Sequence, residues 1–176
     1  EAARLSLQAR ENLARTAGEH QAMLEARQQI TRLSSVMSER YPDALRKALG
    51  KESEQREKST RSLFAIHFDD LELMDETQVT ESVERARALQ VLASAVEGPL
   101  ADLDSLVSAA LGQPKVLPEQ NPLRPDIFLQ ALQAVVSQMQ VSGQVRHDWM
   151  SHMAQALGSE LRALYPALAE RLKQGG

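Results

Sequence analysis

The sequence contains no cysteine, which removes disulfides, thiol nucleophiles and thiolate metal sites together and agrees with a reducing compartment. Aromatic residues are scarce: three Phe, two Tyr and one Trp in 176 residues. A core must then be aliphatic, which suits helix packing better than stacked sheets. No run of about 18 apolar residues occurs, so nothing is suited to span a membrane. The first residues also lack the basic, apolar and small-residue order of a signal peptide. Gly and Pro are few and sit mostly between periodic stretches, so they read as punctuation and leave no low-complexity linker. The cytoplasm is the expected compartment. Because the chain begins with Glu rather than Met, it is expected to be a piece of a longer protein.

Charge excludes another class. The net charge is −4, whereas phosphate binding needs concentrated Lys and Arg. The one local exception, residues 40–61, holds Arg40, Arg46, Lys47, Lys51, Arg56, Lys58 and Arg61. These are interleaved with Asp43, Glu52, Glu54 and Glu57, so the stretch reads first as a solvated helix face.

What is present is helical periodicity. Residues 2–40 contain one Gly and no Pro, with Leu5, Ala9, Leu13, Ala17, Leu24, Ile30, Leu33 and Met37 set among polar residues; this predicts one long amphipathic helix. A heptad seam can be drawn through Leu13, Thr16, His20, Met23, Arg27, Ile30, Ser34 and Met37. Four of those eight positions are polar, so the helix is expected to pack against the rest of the chain or a partner rather than form a stand-alone coiled coil. Its candidate interaction surface is Leu13, Leu24, Ile30 and Met37, and the chain divides into an association arm, residues 1–41, and a bundle, residues 42–176. Tyr41-Pro42 is expected to end the arm. Pro42 then opens a short helix carrying Ala44, Leu45, Ala48 and Leu49, which Gly50 terminates. Residues 51–62 are exposed helix or connection, and Leu63–Phe68 a buried segment rather than an unpaired strand.

From Asp75 a second long pattern runs through Val79, Val83, Ala86, Leu89, Leu92, Ala93 and Val96. Gly98-Pro99 then makes a kink or a corner before Leu100 to Leu111, and Gly112 stops the run. Four prolines mark a loop over residues 113–125. Pro125-Asp126 opens a helix, and Gly143 separates it from a last helix with Val145, Trp149, Met153, Leu157, Leu161, Leu164, Leu168 and Leu172, bent or restarted at Pro166. The fold class is all-α: an antiparallel helical bundle of four to six helices with a long N-terminal helix.

Chemistry is harder to find. Residues 68–86 hold seven carboxylates, Asp69, Asp70, Glu72, Asp75, Glu76, Glu81 and Glu84. Asp75 and Gln78 have capping spacing, and acids in a first turn favour the positive end of the helix dipole. A calcium loop needs a Gly that this stretch lacks. His147 and His152 are five apart, which puts them on different helix faces, and His20 and His67 stand alone. Trp149, Met150 and Met153 read as core. No nucleophile elbow and no phosphate loop occurs. No catalytic, cofactor-binding or metal residue is assigned, and no cofactor is expected.

Three stretches, "FDDLELMDETQVTESVERARAL", "NPLRPDIFLQALQAVV" and "HMAQALGSELRALYPALAERLKQGG", together resemble the bacterial domain-of-unknown-function family 1631, over about residues 60–176. Arg124 stands where that family often has Gly. The resemblance implies a long cytoplasmic protein whose C-terminal part, like a small β-barrel reminiscent of PilZ domains, lies beyond this chain. The thymidine phosphorylase label carried by some members has no counterpart here in a Gly-rich or basic phosphate-binding segment. The expected function is a non-enzymatic module for protein interaction or self-association, as a homodimer, within a larger cytoplasmic bacterial regulatory protein. One alternative is a bundle with a small-molecule or metal pocket between helices, lined by His67, Asp69 and His152. A second is a nucleic-acid binder using residues 40–61, which the charge balance disfavours; no membrane partner is expected.

Overall fold

The computed structural model describes the backbone of residues 1–61 and 76–175 and the side chains of residues 1–53 and 82–174. Among these residues there are five α-helices, one 3₁₀ turn and no strand: α1 Ala2–Asn12, α2 Ala17–Arg61, α3 Glu76–Ala110, the turn Pro118–Gln120, α4 Pro125–Val136 and α5 Gly143–Gly175. The all-α helical class is therefore correct. None of these helices is long and apolar enough to cross a membrane.

The expected single helix over residues 2–40 is two. Residues 13–16 break it, because Thr16-Ala17-Gly18-Glu19 forms a capping box that starts α2 afresh. Thr16 Oγ1 accepts the Glu19 amide at 3.1 Å, and the Glu19 carboxylate accepts the amides of Arg15 and Thr16 at 2.9 and 3.3 Å. Those two amides hold the Glu19 carboxyl below its ordinary value. The corner folds α1 back on α2, so that Ala3, Leu7 and Glu11, one turn apart, turn inward together.

The expected stop at Tyr41-Pro42 is absent, and Gly50 does not terminate anything. α2 runs for 45 residues through both, about 67 Å at the α-helical rise, so no helix ends at residue 41. Pro42 forfeits one backbone hydrogen bond, worth about 3 kcal/mol in a helix interior. Buried residues on both sides, Met37 before it and Ala48 after it, keep the axis continuous. α3 likewise passes through Gly98-Pro99 without a corner, and α5 through Pro166 without a restart. Among the described residues only Gly112, at φ +68° after α3, takes the left-handed conformation that glycine permits. Leu63–Phe68 and the capping residues from Asp75 to Gln78 fall wholly or partly outside the described residues.

Packed helix pairs run both antiparallel and parallel. Glu11 meets Arg27, so α1 and α2 are antiparallel. Arg40 meets Gln138 and Glu52 meets Arg124, so α2 and α4 are antiparallel as well. α4 starts beside the end of α3 and returns, which leaves α3 and α5 running the same way: Glu84 pairs with His147, and Ala95 lies against Gly158. One continuous aliphatic core draws on all five helices, and a smaller cluster of Ala48, Ile127 and Ala131 joins α2 to α4. At the centre the Trp149 indole is fully buried, with Nε1 donating to the Ala26 carbonyl at 2.8 Å. Trp149 thus ties α5 to α2, as the core reading expects.

α3 and α5 approach closely at Gly158, where a Cβ would lie 2.9 Å from Ala95 Cβ. Gly158→Ala is expected to lower stability by about 1–3 kcal/mol through overpacking. Gly50→Ala, in open space on α2, is expected to raise it by about 0.5–1 kcal/mol. Urea unfolding of the two variants checks both signs.

Candidate functional site

The proline-rich loop carries the most concentrated polar chemistry. Asn121, 1% exposed, donates from Nδ2 to Asp104 Oδ1 at 2.6 Å, while its Oδ1 accepts the Leu123 amide at 2.9 Å. Ser108 Oγ accepts the Leu117 amide at 3.0 Å, and Tyr165 Oη donates to the Leu123 carbonyl at 2.8 Å. Arg124, just before α4, spreads its guanidinium over Asp126 at 3.1 Å, Glu52 at 3.0 Å and the Glu119 carbonyl. One arginine thus binds the loop to α4 and, across 72 positions of sequence, to α2. Burial pushes the Asp104 carboxyl upward; the Asn121 hydrogen bond and the Arg124 charge pull it back, and Glu119 pushes it up again. Burial raises the Tyr165 phenol too, with Asp104, Asp126 and Tyr41 adding to it. These named groups satisfy one another, which is the chemistry of a fastener.

Two smaller groups tie down α1. Glu11, buried beside the corner, accepts from Arg27 Nε at 2.7 Å, and His20 Nε2 lies 3.6 Å from its other oxygen. Ser6 Oγ and His152 Nδ1 are hydrogen-bonded at 2.7 Å. A Ser–His pair is the start of a nucleophilic set, but the third member is misplaced. Asp148, one turn before His152, is engaged at both oxygens by Gln144 Nε2, each at 3.2 Å. The pair joins α1 to α5. Burial pushes the His152 imidazole below the ordinary histidine value, with Asp148 pulling upward and Arg10 downward.

Between α2 and α4 lies an open groove of about 660 Å³. Arg40, Lys47 and Lys51 stand along its α2 side, with Asp43 among them, and Gln130 and Gln138 along its α4 side. Its floor is small: Ala44, Ala48 and Ala134. Arg40 spans one end to Gln138 Oε1 at 3.2 Å, and Asp43 is taken up by Arg46 at 2.5 Å.

The residues singled out from sequence are scattered. Ile30 and Met37, 6% and 9% exposed, pack in the chain's own core, Leu24 is half-buried, and Leu13 at the α1–α2 corner is 70% exposed. The four therefore do not form one outward stripe, because residues 13 and 24 fall either side of the helix break while 30 and 37 face inward. His147 pairs with Glu84 on α3 and His152 with Ser6 on α1, so the two point to different helices. His67, Asp69, Asp70, Glu72 and Asp75 lie outside the described residues. Among the described residues no three His, Asp or Glu side chains gather as metal ligands would. Sequence reading missed the Asn121–Asp104 and Arg124 bonds. "NPLRP" marked a helix start, but nothing local shows a partner 17 residues away on α3.

The whole chain, residues 1–176, matches the family model described as "Protein of unknown function (DUF1631) N-terminal domain". The chain belongs to that family, and the match extends over the first 59 residues as well as the stretch that carried the resemblance. No curated protein and no solved structure matches it.

Removing Asn121 strands the Asp104 carboxylate, so Asn121→Ala is expected to cost about 2–4 kcal/mol in denaturant unfolding. Asp43→Ala, which breaks the exposed pair with Arg46, is expected to change stability by less than about 0.5 kcal/mol. For His152 the sign follows from its lowered value: the unfolded chain binds the proton first. Its contribution is intact above the ordinary histidine pKa and is lost as pH falls below it. The difference in stability between wild type and His152→Gln should therefore shrink on acidification from pH 8 to pH 5, by no more than about 1.4 kcal/mol per pH unit. Thermal melts across that range measure it.

Proposed function

We propose that this N-terminal domain of the DUF1631 family is a non-enzymatic helical module that makes protein contacts, first with a second copy of itself, inside a larger cytoplasmic bacterial regulatory protein. The outward face of α3 supports the reading. A helix packed on one side and wet on the other ordinarily turns charge outward. Along α3, however, Val91, Ser94, Gly98, Ala101 and Ser105 follow one another at three- and four-residue steps, and all are exposed. Val91 is 46% exposed, and the uncharged stripe begins there, one turn after the exposed Arg87. Acids stand only beside it, at Glu97 and Asp102.

Small residues at this spacing let a second helix approach closely, which is what ridge-into-groove packing requires. An uncharged stripe is also self-complementary, since a two-fold interface sets each patch against its own copy and like charges there repel. The non-enzymatic part of the reading draws on the engaged polar groups: buried Asp104, Asn121 and Glu11 and half-buried Arg124 and Arg27 are bonded within the fold, which suits folding rather than turnover.

Light scattering at rising protein concentration tests this reading. Wild type is expected to move from monomer to dimer mass. Ser94→Arg with Ala101→Arg is expected to stay monomeric while keeping the wild-type helical content and melting temperature. A wild type that stays monomeric at every concentration, or a double variant that dimerises equally, contradicts it.

A further inference from the structure

We infer that the groove between α2 and α4 docks an acidic amphipathic helix from a protein partner. This adds a second contact surface to the module and does not depend on α3 pairing with itself. Among the described residues three cations, Arg40, Lys47 and Lys51, line the groove against one carboxylate, Asp43, which Arg46 already engages. They do so in a chain whose net charge is −4, so the groove is a local positive feature on an acidic background and steers a negative partner toward itself. Lys47 and Lys51 are exposed and form no ion pair with any described residue.

The shape selects a helix. Alanines at 44, 48 and 134 line the groove between two antiparallel helices, and small side chains there favour the close approach of a third helix. The cations fall at i, i+7 and i+11 of α2, spanning about 17 Å at the α-helical rise. An incoming helix with carboxylates at matching three- and four-residue steps meets all of them from one face. On the opposite side Gln130 and Gln138 line the groove with side-chain amides, which can donate to a carboxylate, and Arg40 already donates to the Gln138 oxygen. Nucleic acid fits less well. Among the described residues no aromatic side chain lines the groove to stack a base, and the cations follow one wall.

The test uses fluorescence anisotropy with a blocked Glu/Ala peptide of about 18 residues, long enough to hold a helix. Alongside it run the same peptide with Gln for Glu and a thymidine oligonucleotide of equal charge. The Glu/Ala peptide is expected to bind, to weaken with added salt, and to weaken about tenfold or more on Lys47→Glu with Lys51→Glu, a loss of rim charge complementarity. Ser94→Arg with Ala101→Arg on α3 is expected to bind it unchanged, which separates this surface from the self-association face. Both lysines are solvent-facing, so circular dichroism should report an intact fold in the double variant. Equal binding of the Gln peptide, indifference to the lysine reversals, loss in the α3 variant, or preference for the oligonucleotide each overturns the inference.

Discussion

The fold rests on the burial of apolar faces on both sides of prolines that would otherwise end its helices. Pro42, Pro99 and Pro166 each lie inside a long helix, and each forfeits a backbone hydrogen bond. In each case core residues flank the proline within about two turns: Met37 and Ala48, Val96 and Leu103, Tyr165 and Ala169. The helices stay continuous because breaking one would withdraw a flanking pair from the core. Local propensity loses to tertiary packing at all three sites, and the lengths of α2, α3 and α5 follow from that.

This constraint also explains which parts of the structure were legible in the sequence. The helical class, the Pro125 start of α4 and the core role of Trp149 were readable because they depend on periodicity and on residues a few positions apart. Helix continuity at Pro42 was not, since the residues that override the proline come partly from α4, more than 80 positions away. The break at residues 13–16 was readable in principle: Thr16 and Glu19 have capping spacing, but a heptad drawn through Leu13, Thr16 and His20 hid it. The four candidate residues are not gathered on one side: Leu13 lies exposed at the corner and Leu24 is half-buried, while Ile30 and Met37, about 120° or more round α2 from Leu24, pack in the core.

Polar groups in this domain work as fasteners between distant segments. Arg124 joins the proline-rich loop to α4 and to α2, Glu11 and Arg27 close the first corner, and Ser6 with His152 holds α1 to α5. Arg124 stands where a glycine would give the loop freedom, and it binds the loop down with hydrogen bonds instead. Once these groups are committed to the fold, what the domain offers outward is surface: an uncharged stripe on α3 and a cationic groove between α2 and α4.

The most direct measurement of this account is hydrogen–deuterium exchange of the wild-type domain at low and high concentration. The account predicts that amides along α3 between residues 90 and 105 gain protection as concentration rises, while the Pro-rich loop and α1 exchange at the same rate throughout. Identical exchange in α3 at both concentrations would contradict it.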